Sequence, residues 1–144
     1  MIMKQLLLFM AAVLMAGCDG GLTSGQQAQN AAEAWADAYF NCDFKDAKGY
    51  VTDDSQKWLQ YAASNTTQQD LDLLKQAGGA QVTASESDGE GNDTLRLVTL
   101  SVSNVLTATG VAKEATFHVT VVKRDAGWQV RMEGLPQSGM RSRD

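Results

Sequence analysis

Hydrophobic positions along the chain follow three different rules. Leu6 to Ala16 is a nearly unbroken apolar run. Between Ala28 and Ala77 apolar residues recur at helical spacing, and beyond Gln81 they alternate. The helical part predicts four elements. Ser24 offers an N-cap with Gln27 as its capping-box partner. Ala28, Ala31, Ala32, Trp35, Ala38, Tyr39 and Cys42 then mark one face of a helix. Glu33 and Asp37 lie on the opposite side. Cys42, on the apolar stripe, is expected to be a buried, inert thiol. Asp43 caps a second, short helix carrying Phe44, Ala47, Tyr50 and Val51. Thr52 caps a third, with Asp53 and Asp54 in the first turn, where the helix dipole favours negative charge. Its apolar positions are Trp58, Leu59 and Ala62. Thr67 and Asp70 open a fourth, carrying Leu71, Leu73, Leu74 and Ala77, and Gly78-Gly79 ends it.

The alternating part predicts strands. Gln81 to Ser85 is the first, followed by a polar turn over Ser85 to Asp93. In Thr94 to Val105, Leu95 and Leu97 share one phase while Val98, Leu100 and Val102 share the other. That phase change predicts a bulge near Leu97-Val98. Glu114 to Arg124 places Phe117, Val119 and Val121 opposite Thr116, His118 and Thr120. Gln129 to Glu133 follows, with Trp128, Val130 and Met132 together. A two-residue turn at Asp125-Ala126 pairs Lys123 with Trp128 and Val121 with Val130, which keeps the apolar residues on one face. His118 then points away from the core. The order, helices then about four antiparallel strands, predicts an α+β fold with a curved sheet packed on helices.

The first apolar run belongs to something else. It follows Lys4, is shorter than the ~20 residues needed to span a membrane and ends in small residues, as a secretory signal does. Its end, Leu14-Met15-Ala16-Gly17-Cys18, resembles the bacterial lipoprotein lipobox. The resemblance implies cleavage after Gly17, a diacylglyceryl thioether on Cys18 and an acylated new N-terminus. Several acyl chains give stable membrane anchoring. Asp19 resembles an inner-membrane retention signal, and either membrane of the envelope stays open. The expected organisation is a signal peptide over 1–17, a lipidated tether over 18–25, one domain over 26–135 and a disordered tail over 136–144.

The whole chain of 144 residues carries 17 acidic and 12 basic residues, a formal −5. Losing residues 1–17 and with them Lys4 leaves 127 residues at −6. Such a domain avoids nucleic acid and anionic lipid, so lipid on Cys18 is the expected membrane contact. Of two cysteines, Cys42 is left unpaired.

Two segments carry a resemblance. One is Ala34-Trp35-Ala36-Asp37-Ala38-Tyr39-Phe40-Asn41-Cys42-Asp43-Phe44-Lys45-Asp46-Ala47. The other is Val121-Val122-Lys123-Arg124-Asp125-Ala126-Gly127-Trp128-Gln129-Val130. They are similar to a first helix with its short follower, and to the closing hairpin, of the nuclear-transport-factor-two-like (cystatin-like) superfamily. The likeness covers roughly Gln26 to Leu135 and is nearest to small bacterial lipoproteins of unknown function. It implies a cone-like pocket between helices and concave sheet. Members include ketosteroid isomerase-like enzymes, dehydratases, transport adaptors and ligand binders, so fold does not choose function.

The expected core-facing set is Trp35, Tyr39, Trp58, Leu100, Phe117, Val119, Val121, Trp128, Val130 and Met132. It contains no general acid or base, so no catalytic residue is assigned. His118 beside an acid inside a pocket would reverse that. Asp53-Asp54 lacks further oxygen ligands, one His is too few for a typical metal centre, and the turn at Glu86 lacks the closing Glu of a calcium loop. No metal or cofactor is therefore expected, and no Gly-rich phosphate loop opens a helix. Trp35, Tyr39, Trp58 and Tyr61 form the candidate apolar pocket, with hydroxyl and indole donors; the competing role for them is plain core. The expected function is a membrane-anchored envelope domain that binds a small apolar ligand or a protein partner without catalysis. The alternatives are a proton-transfer enzyme in the same pocket, or a structural homodimer formed through Thr116, Thr120, Val122 and Arg131.

Overall fold

The computed structural model describes residues 23–91 and 94–136, with the backbone alone over 86–91. The signal peptide, Cys18, most of the tether and residues 137–144 lie outside the described residues. Helix α1 (Ser24–Phe40) is capped by Thr23, whose side chain accepts from the Gln26 backbone while the Gln26 side chain accepts from Thr23. The expected cap at Ser24 is thus one residue late. Both boxes have the required spacing, but Ser24 already has a place in the helix and Gly25 is buried. Helix α2 (Phe44–Ala47) is capped by Asp43, which accepts from the Asp46 amide. Two short 3₁₀ turns, Lys48–Tyr50 and Asp53–Ser55, lead into α3 (Gln56–Ser64). Helix α4 (Gln68–Ala77) carries the expected Thr67/Asp70 box and ends at Gly78, whose φ of +97° suits only glycine well.

Strands β1 (Gln81–Gly91), β2 (Leu95–Thr107), β3 (Gly110–Arg124) and β4 (Gly127–Arg131) form one antiparallel sheet in chain order. The protein is α+β, with four α-helices among the described residues and a curved, unclosed sheet. The last hairpin has the expected register: Lys123 opposes Trp128 and Val121 opposes Val130. One expectation fails and another holds only on one side of β2. The polar stretch expected to turn after Ser85 continues as strand to Gly91, with a register shift between Glu86 and Gly91. The irregularity expected near Leu97-Val98 lies on the β1 side alone: the β1–β2 pairing jumps from Glu86↔Val98 to Gly91↔Arg96, whereas β2 pairs with β3 in one unbroken register from Leu95↔Val122 to Ser103↔Glu114. Leu95 and Leu97 simply stand on the other face, opposite Val122 and Thr120.

Helix α1 packs across the sheet and touches all four strands. Ala28, Ala32 and Ala36 are fully buried, and their small side chains let the helix approach closely. Trp35 sits beneath them at 0% exposure, and Val98, Leu100, Val102, Val121 and Val130 face it from the sheet side of the core. Trp128 Nε1 donates to Gln27 Oε1 at 3.2 Å, tying β4 to α1. After α2 the chain returns to the β4 edge: Val51 bridges Val130 in parallel, and the Thr52 amide donates to the Val130 carbonyl at 3.0 Å. This covers part of an edge that would otherwise present unpaired backbone groups.

Candidate functional site

The four residues of the expected aromatic pocket do not form one site: Trp35 and Tyr39 meet in the core, Trp58 packs at its edge and Tyr61 is exposed. Trp35 stacks on Tyr39, with ring centroids 5.0 Å apart, and both rings pack edge-on to Phe40. Phe40 in turn packs on Phe117, and Phe44 closes on Tyr39. Trp35 and Tyr39 are therefore part of an aromatic cluster that fills the core. Burial pushes the Tyr39 hydroxyl pKa well above its ordinary value, so that group stays protonated. Trp58 is half-buried, with the Lys57 ammonium 5.5 Å from its ring centre. Tyr61 is 55% exposed on α3. Helical spacing put Trp58 and Tyr61 on adjacent positions of one short helix, but the buried residues of α3 are Leu59 and Ala62, and only Trp58 of the two aromatics packs against the core.

Cys42 also departs from expectation. The helix stops at Phe40, and Cys42 lies in the following turn with φ +65°, half-buried rather than buried. Burial first, and the nearby Asp70 charge second, push its thiol pKa up, which keeps it a poor nucleophile.

The cavity lies elsewhere, where β4 ends and the chain leaves the sheet. It measures about 240 Å³ and is lined by Trp35, by His118, Val119 and Thr120 of β3, and by residues 130–136. Strand alternation gives it two walls. Val119, Val130 and Met132 continue the core beside Trp35, whereas His118, Thr120 and Arg131 belong to the opposite face of the sheet. His118 points away from the core, as its register requires, and its Nδ1 lies 3.2 Å from Thr99 Oγ1.

Two residues of this lining each carry a buried donor without a partner. Trp35 Nε1 and Arg131 Nε meet no hydrogen-bond acceptor among the described residues. Arg131 Nε stands 3.4 Å from Glu133 Oε2, an ion pair without hydrogen-bond geometry, and Glu133 is 72% exposed. A buried donor left unpaired costs about 1–3 kcal/mol, so two beside one cavity call for a reason.

The floor of the cavity is held from the helical layer. The Met132 amide donates to Ser55 Oγ at 2.8 Å. Ser55 Oγ is 2.7 Å from Thr52 Oγ1, and Thr52 Oγ1 donates to Asp54 Oδ1 at 2.6 Å. Thr52 spends its one proton on Asp54, so in the 2.7 Å contact Ser55 is the donor, with the Met132 carbonyl at 3.5 Å as its other acceptor. The Thr52 bond, first, holds the Asp54 pKa below the usual carboxylate range, with help from the Arg124 and Arg131 charges. Asp53-Asp54 thus belongs to a turn and its hydrogen bonds. No group of three metal-ligating side chains occurs among the described residues.

Sequence reasoning missed Arg131 as a cavity residue, and missed Ser55 entirely. The face proposed for a dimer is present, with Thr116 exposed and Thr120 and Arg131 half-exposed, but Val122 on it is only 5% exposed. No helix among the described residues is long and apolar enough to cross a membrane.

No family model and no curated protein matches this chain. Among solved structures, a periplasmic fragment of TraM is similar at 15% identity, covering 76% of this chain and 97% of that one, with a TM-score of 0.40. That likeness is too slight to support an argument about fold family or function.

Proposed function

We propose that this protein is a lipid-anchored domain of the bacterial cell envelope that binds a small molecule in the cavity at the end of β4. The observation that carries the binding proposal is the cavity of about 240 Å³ between the ends of β3 and β4 and the chain that follows them. Small-molecule sites combine apolar walls with a few placed polar groups, and Val119, Val130, Met132 and Leu135 beside Trp35, Thr120 and Arg131 fit that description. The anchor rests on the lipobox-like Leu14-Met15-Ala16-Gly17-Cys18, and the nuclear-transport-factor-two-like assignment rests on the two segments around Trp35 and Trp128. Native mass spectrometry of the purified full-length chain tests the binding proposal. A bound small molecule that is lost in Met132→Trp, which fills the cavity, supports it. A ligand-free chain that also binds nothing from an envelope metabolite extract sinks it.

One observation favours a second reading. His118 and Glu133 line the same cavity, the pairing that a proton-transfer enzyme would need. Against it, both side chains are exposed, whereas a general base acts best close to its substrate and away from water. Loss of turnover of a bound ligand in both His118→Ala and Glu133→Gln would establish catalysis; unchanged ligand recovered from wild type would rule it out.

A further inference from the structure

The two edges of the sheet differ. The β4 edge is closed in part by the chain at Val51 and Thr52, which joins it at Val130. The other edge is β1, and among the described residues no strand pairs with its far side. An open edge presents a row of unpaired N–H and C=O groups, and proteins commonly guard it with charge, proline or a bulge. The first half of β1, Gln81-Val82-Thr83-Ala84-Ser85, carries no charge and no proline. Its pairing with β2 is regular from Gln81↔Ser103 to Glu86↔Val98, so no bulge turns this edge away. The acids of the strand, Glu86, Asp88 and Glu90, all fall in its second half.

The uncharged half is also complementary to itself. Val82 and Ala84 stand on the core face, half-exposed and packed on the rim of the core. Gln81, Thr83 and Ser85 stand on the other face and are exposed. An antiparallel pairing of two copies about a two-fold axis at Thr83 sets Val82 against Ala84 of the second copy, and Gln81 against Ser85 of the second copy. Thr83 meets its own counterpart. Apolar residues then meet apolar ones, and hydroxyl and amide groups meet their like, as an isologous contact requires. The acidic halves run off opposite ends of the shared ladder. A parallel pairing would lay them side by side, where like charges repel.

We infer that β1 is a docking edge for a second copy of this chain, joining two four-stranded sheets into one of eight strands. This contact is not the face of Thr116, Thr120, Val122 and Arg131 expected from the sequence. It also lies at the edge opposite the cavity, so it stands or falls separately from ligand binding.

The test is disulfide trapping in the full-length chain. Directly opposed residues of an antiparallel pair stand about 4.5–5.5 Å apart at Cα, within the span of a disulfide. Thr83→Cys is therefore expected to give a covalent dimer on mild oxidation. Ser101→Cys, one strand inward from Thr83 and also exposed, is expected to give no more than the Cys42 background of wild type. Thr83→Lys sets like charges face to face from an exposed position, and is expected to weaken the wild-type dimer severalfold in sedimentation. A Thr83→Cys chain that stays monomeric overturns the proposal. Equal trapping of Thr83→Cys and Ser101→Cys marks chance collision and overturns it too. A dimer that Thr83→Lys leaves unchanged places the contact on another surface and has the same consequence.

Discussion

Ser55 and Met132, 77 residues apart, are joined by a buried hydrogen bond in which the Met132 amide donates to Ser55 Oγ at 2.8 Å. The bond fixes the point where the chain leaves β4, and Met132 is a wall of the cavity. Ser55 is fully buried, so water cannot replace it. Ser55→Ala is expected to lower stability by about 1–3 kcal/mol, the cost of leaving a buried amide unpaired. Chemical denaturation measures this, and an unchanged midpoint would show that Met132 is held by packing alone.

The same chain of hydroxyls ends on Asp54, which makes stability depend on pH. The folded Asp54 pKa is lowered, chiefly by the Thr52 hydroxyl. Its contribution is therefore complete above the unfolded value, about 3.9, and is lost as pH falls through the lower folded value. Wild type should lose more stability than Asp54→Asn as pH falls below about 4. Parallel stability profiles for the two proteins over that range would contradict the assignment.

Asn41 clamps the end of α1 to the start of β1. Its Nδ2 donates to the Asp37 and Ala80 carbonyls at 2.8 and 3.1 Å, and its Oδ1 accepts from the Ala80 amide at 2.8 Å. Asn104 completes the clamp by donating to the Ala77 and Gly79 carbonyls, both at 3.0 Å. Asn41→Ala should cost about 1–3 kcal/mol by stranding the Ala80 amide, and amide exchange at Ala80 should speed up. Protection equal to wild type would assign the join to hydrophobic contacts instead.

Anchoring makes a separate prediction. Cys18→Ala should move the protein from the membrane to the soluble fraction, since the acidic body has little attraction for anionic lipid. Retention of the variant in washed membranes would refute the lipoprotein proposal.

Local chemistry was the legible part of this fold. The Thr67/Asp70 box, Gly78 and the Asp125-Ala126 hairpin depend on residues a few positions apart, and each appears as expected. The phase change at Leu97-Val98 is not a break in β2 itself: the register shift there belongs to β1, and the expectation assumed that a sheet buries one face only. At the far end of β2 and β3 the other face is apolar too, with Leu95 opposite Val122. The site was legible only at Trp35. Trp58 and Tyr61 carry the same chemistry, and periodicity alone cannot tell which aromatic reaches a cavity. Arg131 stands on a half-exposed face, where a charge reads as solvated until the chain beyond β4 is seen folding beside it.

The most direct test of the central claim is a set of intermolecular NOEs between the small molecule that copurifies with the full-length chain and its ¹³C-labelled methionine and valine methyls. Binding at the end of β4 predicts contacts to the Met132 methyl and to the Val119 and Val130 methyls. Contacts confined to Trp58 and Tyr61 on α3, or none at all, would contradict it.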